Sequence, residues 1–107
     1  MRLVRHPLVE QDIRALAEHI LAVSGDPGAA LRRLDEIDAL IAAILQNPDL
    51  GTRLDGALHG WRVRHGGQGR ALSIVYRAQG DRLFVALVAF GGQDWLTRGA
   101  ARGGFGG

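Results

Sequence analysis

The feature that most constrains this chain is a change of hydrophobic period near its middle. Up to about residue 50 apolar residues recur every three to four positions; beyond it they alternate in short segments rich in β-branched and aromatic residues. A chain built this way places helices first and strands afterwards, and its class is α+β. At 107 residues it has material for one core.

In the first half, Val9, Ile13, Leu16, Ala17, Ile20 and Val23 line one side of a helix that Gly25 stops. Asp26-Pro27 then supplies a capping carboxylate and a proline suited to a first helical position. Ala30, Leu34, Ile37, Ile41, Ile44 and Leu45 form the buried stripe of a second helix, which Asn47-Pro48 ends. So short a link predicts an antiparallel helical hairpin. Before it, Leu3 and Val4 form a short strand limited by Pro7.

In the second half, strands are predicted over residues 58–65, 70–77 and 82–90, joined by Gly66-Gly67-Gln68-Gly69 and Ala78-Gln79-Gly80-Asp81 as an antiparallel meander. The expected order is β-α-α-β-β-β, a helical hairpin packed on one face of a small, mainly antiparallel sheet. Residues 83–90 are apolar nearly throughout, as in a strand covered on both faces or lying centrally. Alternation sets Trp61 and Val63 with Leu72, Ile74 and Tyr76 toward the helices, and Arg62, Arg64 and Arg77 on the open face. Trp95 and Leu96 are expected to add one packed turn. The domain is placed at 1–97, with 98–107 a flexible glycine-rich tail whose removal leaves the fold intact.

Charge is unevenly spread. All thirteen basic residues are arginine; residues 7–50 hold three of them against eight carboxylates, and the rest of the chain holds ten against three. An acidic helical layer and a basic sheet suit an anionic partner. Arg62, Arg64, Arg70 and Arg77, with Trp95, are the candidate binding residues, because guanidinium forks hold carboxylates or phosphates bidentately.

Catalytic and cofactor readings find little support. Cysteine is absent. His59 and His65 would lie about 20 Å apart along a strand, too far to share an ion, so no metal site and no cofactor are expected. Gly66 to Gly69 lacks the following helix and lysine of a phosphate loop and reads as a turn. Asp35, Glu36 and Asp38 read as a solvated helix face. One Arg102-Gly103-Gly104-Phe105 echo of RNA-binding repeats is a single copy. No run reaches the roughly 20 apolar residues of a membrane span, and residues 1–7 have no secretory apolar region, so a cytoplasmic protein without membrane contact is expected.

Taken in order, several segments resemble the RelE/ParE superfamily of toxins, and ParE toxins in particular. They are Asp12-Ile13 with Ile20, Pro27-Ala29-Ala30, residues 35–41 leading to Asn47-Pro48-Asp49-Leu50-Gly51, Gly60-Trp61-Arg62, Ile74-Val75-Tyr76-Arg77 and residues 83–88. The resemblance covers about residues 3–95. It implies the toxin of a type II toxin-antitoxin system, associated with plasmid stabilization, neutralised by a cognate antitoxin and acting by binding a target such as DNA gyrase. It implies no catalytic residue, with nucleic acid engaged indirectly.

The alternatives are a RelE-like ribosome-dependent mRNA endoribonuclease and a non-toxic binding module on the same fold. Arg62 and Arg64 match the ribonuclease branch's first basic group. Its next charged position falls at Ser73, and its final basic and tyrosine residues fall on Gly91-Gly92-Gln93-Asp94-Trp95.

Overall fold

A computed structural model of the chain describes residues 1–91 and 94–102. The elements run β1 (Arg2–Arg5), α1 (Val9–Ser24), α2 (Pro27–Gln46), β2 (Thr52–Arg53), β3 (Arg62–Gly66), β4 (Leu72–Gln79), β5 (Arg82–Phe90) and α3 (Trp95–Ala101). Three-residue 3-10 turns at Pro48–Leu50, Gly56–Leu58 and Gln68–Arg70 join them. The strands form a single five-stranded sheet in the order β1-β5-β4-β3-β2, antiparallel apart from the β1–β5 pair.

Local chemistry sets the helical hairpin as the sequence predicts. Gly25 ends α1 in the left-handed region (φ 65°), where an L side chain would be strained. Asp26 then accepts the Gly28 N–H at 2.9 Å and Pro27 opens α2. Leu16, Ile37, Ile41 and Ile44 pack with Leu72, Ile74, Tyr76, Leu83, Val85 and Val88 of the sheet. Each such aliphatic side chain stabilises the fold by about 1.5–3 kcal/mol on burial.

The second face of the sheet is covered too. Leu58, Trp61, Val63, Val75, Phe84, Ala86 and Leu87 form another cluster, joined by Val4, Leu54 and Trp95. Trp61 and Val63 therefore lie opposite the helices, contrary to the sequence assignment. The heavier row of β3 packs instead beneath the Gly56–Leu58 turn and α3. The apolar run of β5 now has its reason: the strand sits between β1 and β4 with cores on both sides.

A bulge adjusts β5 to both cores. Pairing steps from Val75↔Leu87 to Tyr76↔Val85, leaving Ala86 as the extra residue. Ala86 and Leu87 consequently join the second core while Val85 and Val88 join the first.

The expected tail begins differently from its sequence reading. Residues 98–101 belong to α3, and Arg98 and Arg102 both reach the buried carboxylate of Asp12 on α1. Arg98 Nη2 donates to Asp12 Oδ1 at 2.6 Å; Arg102 donates from Nη1 to Oδ2 at 2.7 Å and from Nη2 to Oδ1 at 2.8 Å. Residues 92, 93 and 103–107, parts of the expected glycine-rich segments, lie outside the described residues.

Removing one side of a buried ion network leaves an uncompensated charge, which costs about 3–5 kcal/mol. A chain ending at residue 97, and separately Asp12→Ala, should lose stability of that order in urea denaturation. Midpoints matching the full chain to within about 0.5 kcal/mol, the range of neutral surface changes, would show that the network is dispensable.

Candidate binding surface

The five residues singled out from the sequence do not share one surface. Directly opposed residues of an antiparallel pair project to the same face. Arg62 opposes Tyr76 and Arg64 opposes Ile74, so both arginines stand on the helix-bearing face. Arg77 stands on the other, its guanidinium 4.7 Å from the Trp61 ring centroid and 5.7 Å from that of Phe84. The three arginines assigned to one open face are thus divided between two, because the face of Trp61 was assigned the wrong way round.

Arg62 is committed to structure. Its Nη1 donates to the carbonyls of Asp49 at 2.9 Å and Gly51 at 3.0 Å, and its Nη2 lies 3.7 Å from the Asp49 carboxylate. Tyr76, wholly buried beside it, donates its hydroxyl to the Pro48 carbonyl at 2.6 Å and accepts the Gly51 N–H at 3.0 Å. Together they fasten the connection after α2 to the sheet. Gly51 has no room for a side chain, since a Cβ there would run into the Tyr76 phenol.

Arg64 and Arg70 lie along one groove. Arg64 is half-buried, and its Nη1 is shielded from solvent with no hydrogen-bond acceptor. Arg70 is exposed at the end of the β3–β4 connection. Its φ of 55° is the one positive value at a non-glycine among the described residues. That backbone region costs an L residue about 1–2 kcal/mol. Both arginines line a groove of ≈ 500 Å³ with Leu50, Thr52, Val63 and His65.

Trp95, half-buried at the start of α3, meets His65 edge-on with ring centroids 6.1 Å apart, and His65 Nδ1 lies 2.8 Å from Ser73 Oγ. Asp94 caps α3 through the Thr97 N–H at 3.0 Å, and hydrogen bonding from the Thr97 side chain first, then its N–H, holds its carboxyl below the usual aspartate value. The acidic patch on α2 also divides. Asp35 and Asp38 are exposed, whereas Glu36 accepts from Arg33 at 2.7 Å and from the Gln68 N–H at 3.1 Å, tying the helix to the β3–β4 connection.

Sequence reasoning missed Asp12, Arg98 and Arg102. A carboxylate at a position adjoining the apolar stripe of α1 was the available signal; its partners lie 86 and 90 residues away. Among the described residues, no group of three histidine, aspartate or glutamate side chains could hold a metal ion. No described helix is long and apolar enough to cross a membrane.

A two-helix hairpin on a five-stranded, mainly antiparallel sheet defines a small α+β domain. The sequence profile of the ParE toxin of type II toxin-antitoxin systems, parDE, matches residues 3–95, and the chain belongs to that family. A solved chain of the chromosomal ParDE toxin-antitoxin system from P. aeruginosa has the same fold. The TM-score is 0.66 at 19% identity, over 85% of this chain and 96% of that one. No curated protein matches in sequence.

Tyr76 is the single tyrosine, so tyrosinate absorbance reports on it alone. Burial, the largest influence, pushes its phenol above the ordinary value of 10.0, against the pull of the Gly51 N–H, Arg62 and Arg64. The unfolded chain therefore ionises first, and the stability that Tyr76 contributes is lost as pH rises above about 10 toward the folded value. Tyr76→Phe should remove that pH dependence and cost about 1–3 kcal/mol at neutral pH through the unsatisfied Gly51 N–H and Pro48 carbonyl. A tyrosinate titration at the ordinary value in the folded protein would contradict the packing described.

Proposed function

We propose that this ParE-family protein is the toxin of a type II toxin-antitoxin pair, that it acts by binding DNA gyrase, and that a cognate antitoxin neutralises it. The observation that carries the reading is the family match over residues 3–95, together with a pair of arginines, Arg64 and Arg70, left over from the internal network. An inhibitor that acts by binding needs surface complementarity and no nucleophile or acid-base pair.

The ribonuclease alternative retains Arg64 of its matching pair but is weakened at Arg62 and at Ser73, where that branch has a charged residue. Arg62 is spent on the carbonyls of Asp49 and Gly51, and Ser73 is buried against His65. Neither is placed to stabilise charge on a phosphate in flight.

Induced without an antitoxin, the protein should arrest growth, and co-expression of the neighbouring antitoxin gene should restore it. Normal growth with folded protein present would remove the toxin reading. Calorimetry of the pair should show a strongly negative heat-capacity change, the mark of a disordered segment folding onto this domain. In a supercoiling assay, Arg64→Glu with Arg70→Glu should weaken inhibition about tenfold at low salt and less at high salt, because exposed charges are screened beyond about 8–10 Å. Unimpeded supercoiling with excess toxin would reject gyrase and leave the family assignment untouched.

A further inference from the structure

An aspartate isomerises through a cyclic imide when its carboxyl group is unheld, the next backbone N–H is unengaged, and the next residue has no side chain to crowd the ring. These conditions sort the eight aspartates and the one asparagine of the chain. Pro27 and Pro48 leave Asp26 and Asn47 without a following N–H. Asp12, Asp35 and Asp38 lie within helices, where the next N–H is engaged along the helix axis. The Leu50 N–H after Asp49 donates to the Asn47 carbonyl at 3.2 Å. Arg82 after Asp81 opens β5 with a bulky side chain, and the Asp94 carboxylate is held by the Thr97 N–H at 3.0 Å.

Asp55 meets all three conditions. It is exposed, and the Gly56–Leu58 turn starts at it with no bond to its carboxylate. Among the described residues the Gly56 N–H has no acceptor. Gly56 sits at φ 63°, a conformation that favours glycine, with open space where a Cβ would stand. The extended backbone of Asp55 (φ −119°, ψ −177°) turns its Cβ nearer to the Gly56 nitrogen than helical backbone would, which is the alignment a five-membered ring requires.

We infer that Asp55-Gly56 is the chain's site of isoaspartate formation, and that the conversion loosens the second core. The Gly56 nitrogen attacks Cγ of the protonated carboxyl; the N–Cγ bond forms, the Cγ–OH bond breaks, and the hydroxyl leaves with the nitrogen's proton as water. Water then opens the imide. Cleavage at Cγ restores aspartate, whereas cleavage at the main-chain carbonyl carbon routes the chain through the side chain, one methylene longer, and frees the former carbonyl as a carboxylate.

The longer link falls where the turn is fastened. The Leu58 N–H donates to the Asp55 carbonyl at 3.2 Å, and the Trp61 N–H to the Leu58 carbonyl at 2.9 Å. Leu58 and Trp61 both belong to the second core. Leu58 also supports α3, since a Cβ on Gly99 would stand 3.2 Å from Leu58 Cδ1. With the Asp55 carbonyl moved off the main chain, the Leu58 N–H loses its acceptor and Leu58 its fixed place between sheet and helix.

The test keeps the full chain in neutral buffer at physiological temperature for several weeks and then digests it with trypsin. An isoaspartyl methyltransferase with radioactive S-adenosylmethionine labels the products. Trypsin leaves Asp55 as the one aspartate in the peptide of residues 54–62. That peptide should carry at least about ten times the label of any other, formed at a rate within about threefold of that in the urea-unfolded chain. Asp55→Glu, whose carboxyl must close a larger ring, should leave it unlabelled. The isoaspartyl fraction, separated by chromatography, should unfold at lower urea than the unmodified protein.

Should Asp55→Glu fail to fold, the peptide map of the unaltered chain still decides. Label shared evenly among the aspartate peptides, or a rate in the folded chain below about a tenth of the unfolded one, would overturn the site. Coincident urea midpoints would overturn the loosening of the second core.

Discussion

The carboxylate of Asp12 is the point on which the rest of this structure turns. Pro7 follows β1 so closely that the strand is four residues long, and the longer β5 is left without a neighbour beyond Val85. A strand border in the middle of a domain needs partners for its backbone. Asp12, 3% exposed, accepts from Val88, and Arg102 donates to Ala86, so one acidic and one basic side chain stand in for the missing strand. A buried carboxylate is tolerable when its lone pairs are filled by cations, and Arg98 and Arg102 fill them. Those arginines are on or just after α3, so the same network that closes the border draws α3 against the second face of the sheet. Trp95 at its start packs on the second core as a result.

Legibility in the sequence followed the range of the interaction. The helical hairpin was readable because stripe, cap and stop are all local: the apolar spacing of α1 and α2, Asp26-Pro27 and Gly25. The span of β5 was readable from its unbroken apolar run. Faces were not, since a strand's two faces are exchanged by a one-residue change of register. Trp61 and Val63 looked like the helix-facing row because they are the apolar residues at the start of β3 and just before it, yet a second core under α3 claimed them. β2 is two residues long and carries no period at all. Of the candidate residues, positions in sequence were readable and company was not: Arg62 is held by carbonyls 11 and 13 residues away, and Arg77 lies over the rings of Trp61, just before β3, and Phe84 on β5.

The use of arginine alone as the basic residue connects the internal architecture to the binding surface. A guanidinium can fork across two acceptors, sit over an aromatic ring and remain charged when half-buried, none of which lysine does equally well. Arg102 and Arg62 do the first, on a carboxylate and on two carbonyls; Arg77 over Trp61 and Arg33 over Phe90 do the second. The basic half of the chain is therefore less a field aimed outward than its composition suggests, because much of that charge is spent indoors. What remains exposed is spread over Arg2, Arg5, Arg53, Arg70 and Arg82, and of these Arg70 shares a groove with the half-buried Arg64. The same guanidinium chemistry that fills the lone pairs of Asp12 and the carbonyls after α2 thus sets how much of the basic half is left at the surface of this ParE-family protein.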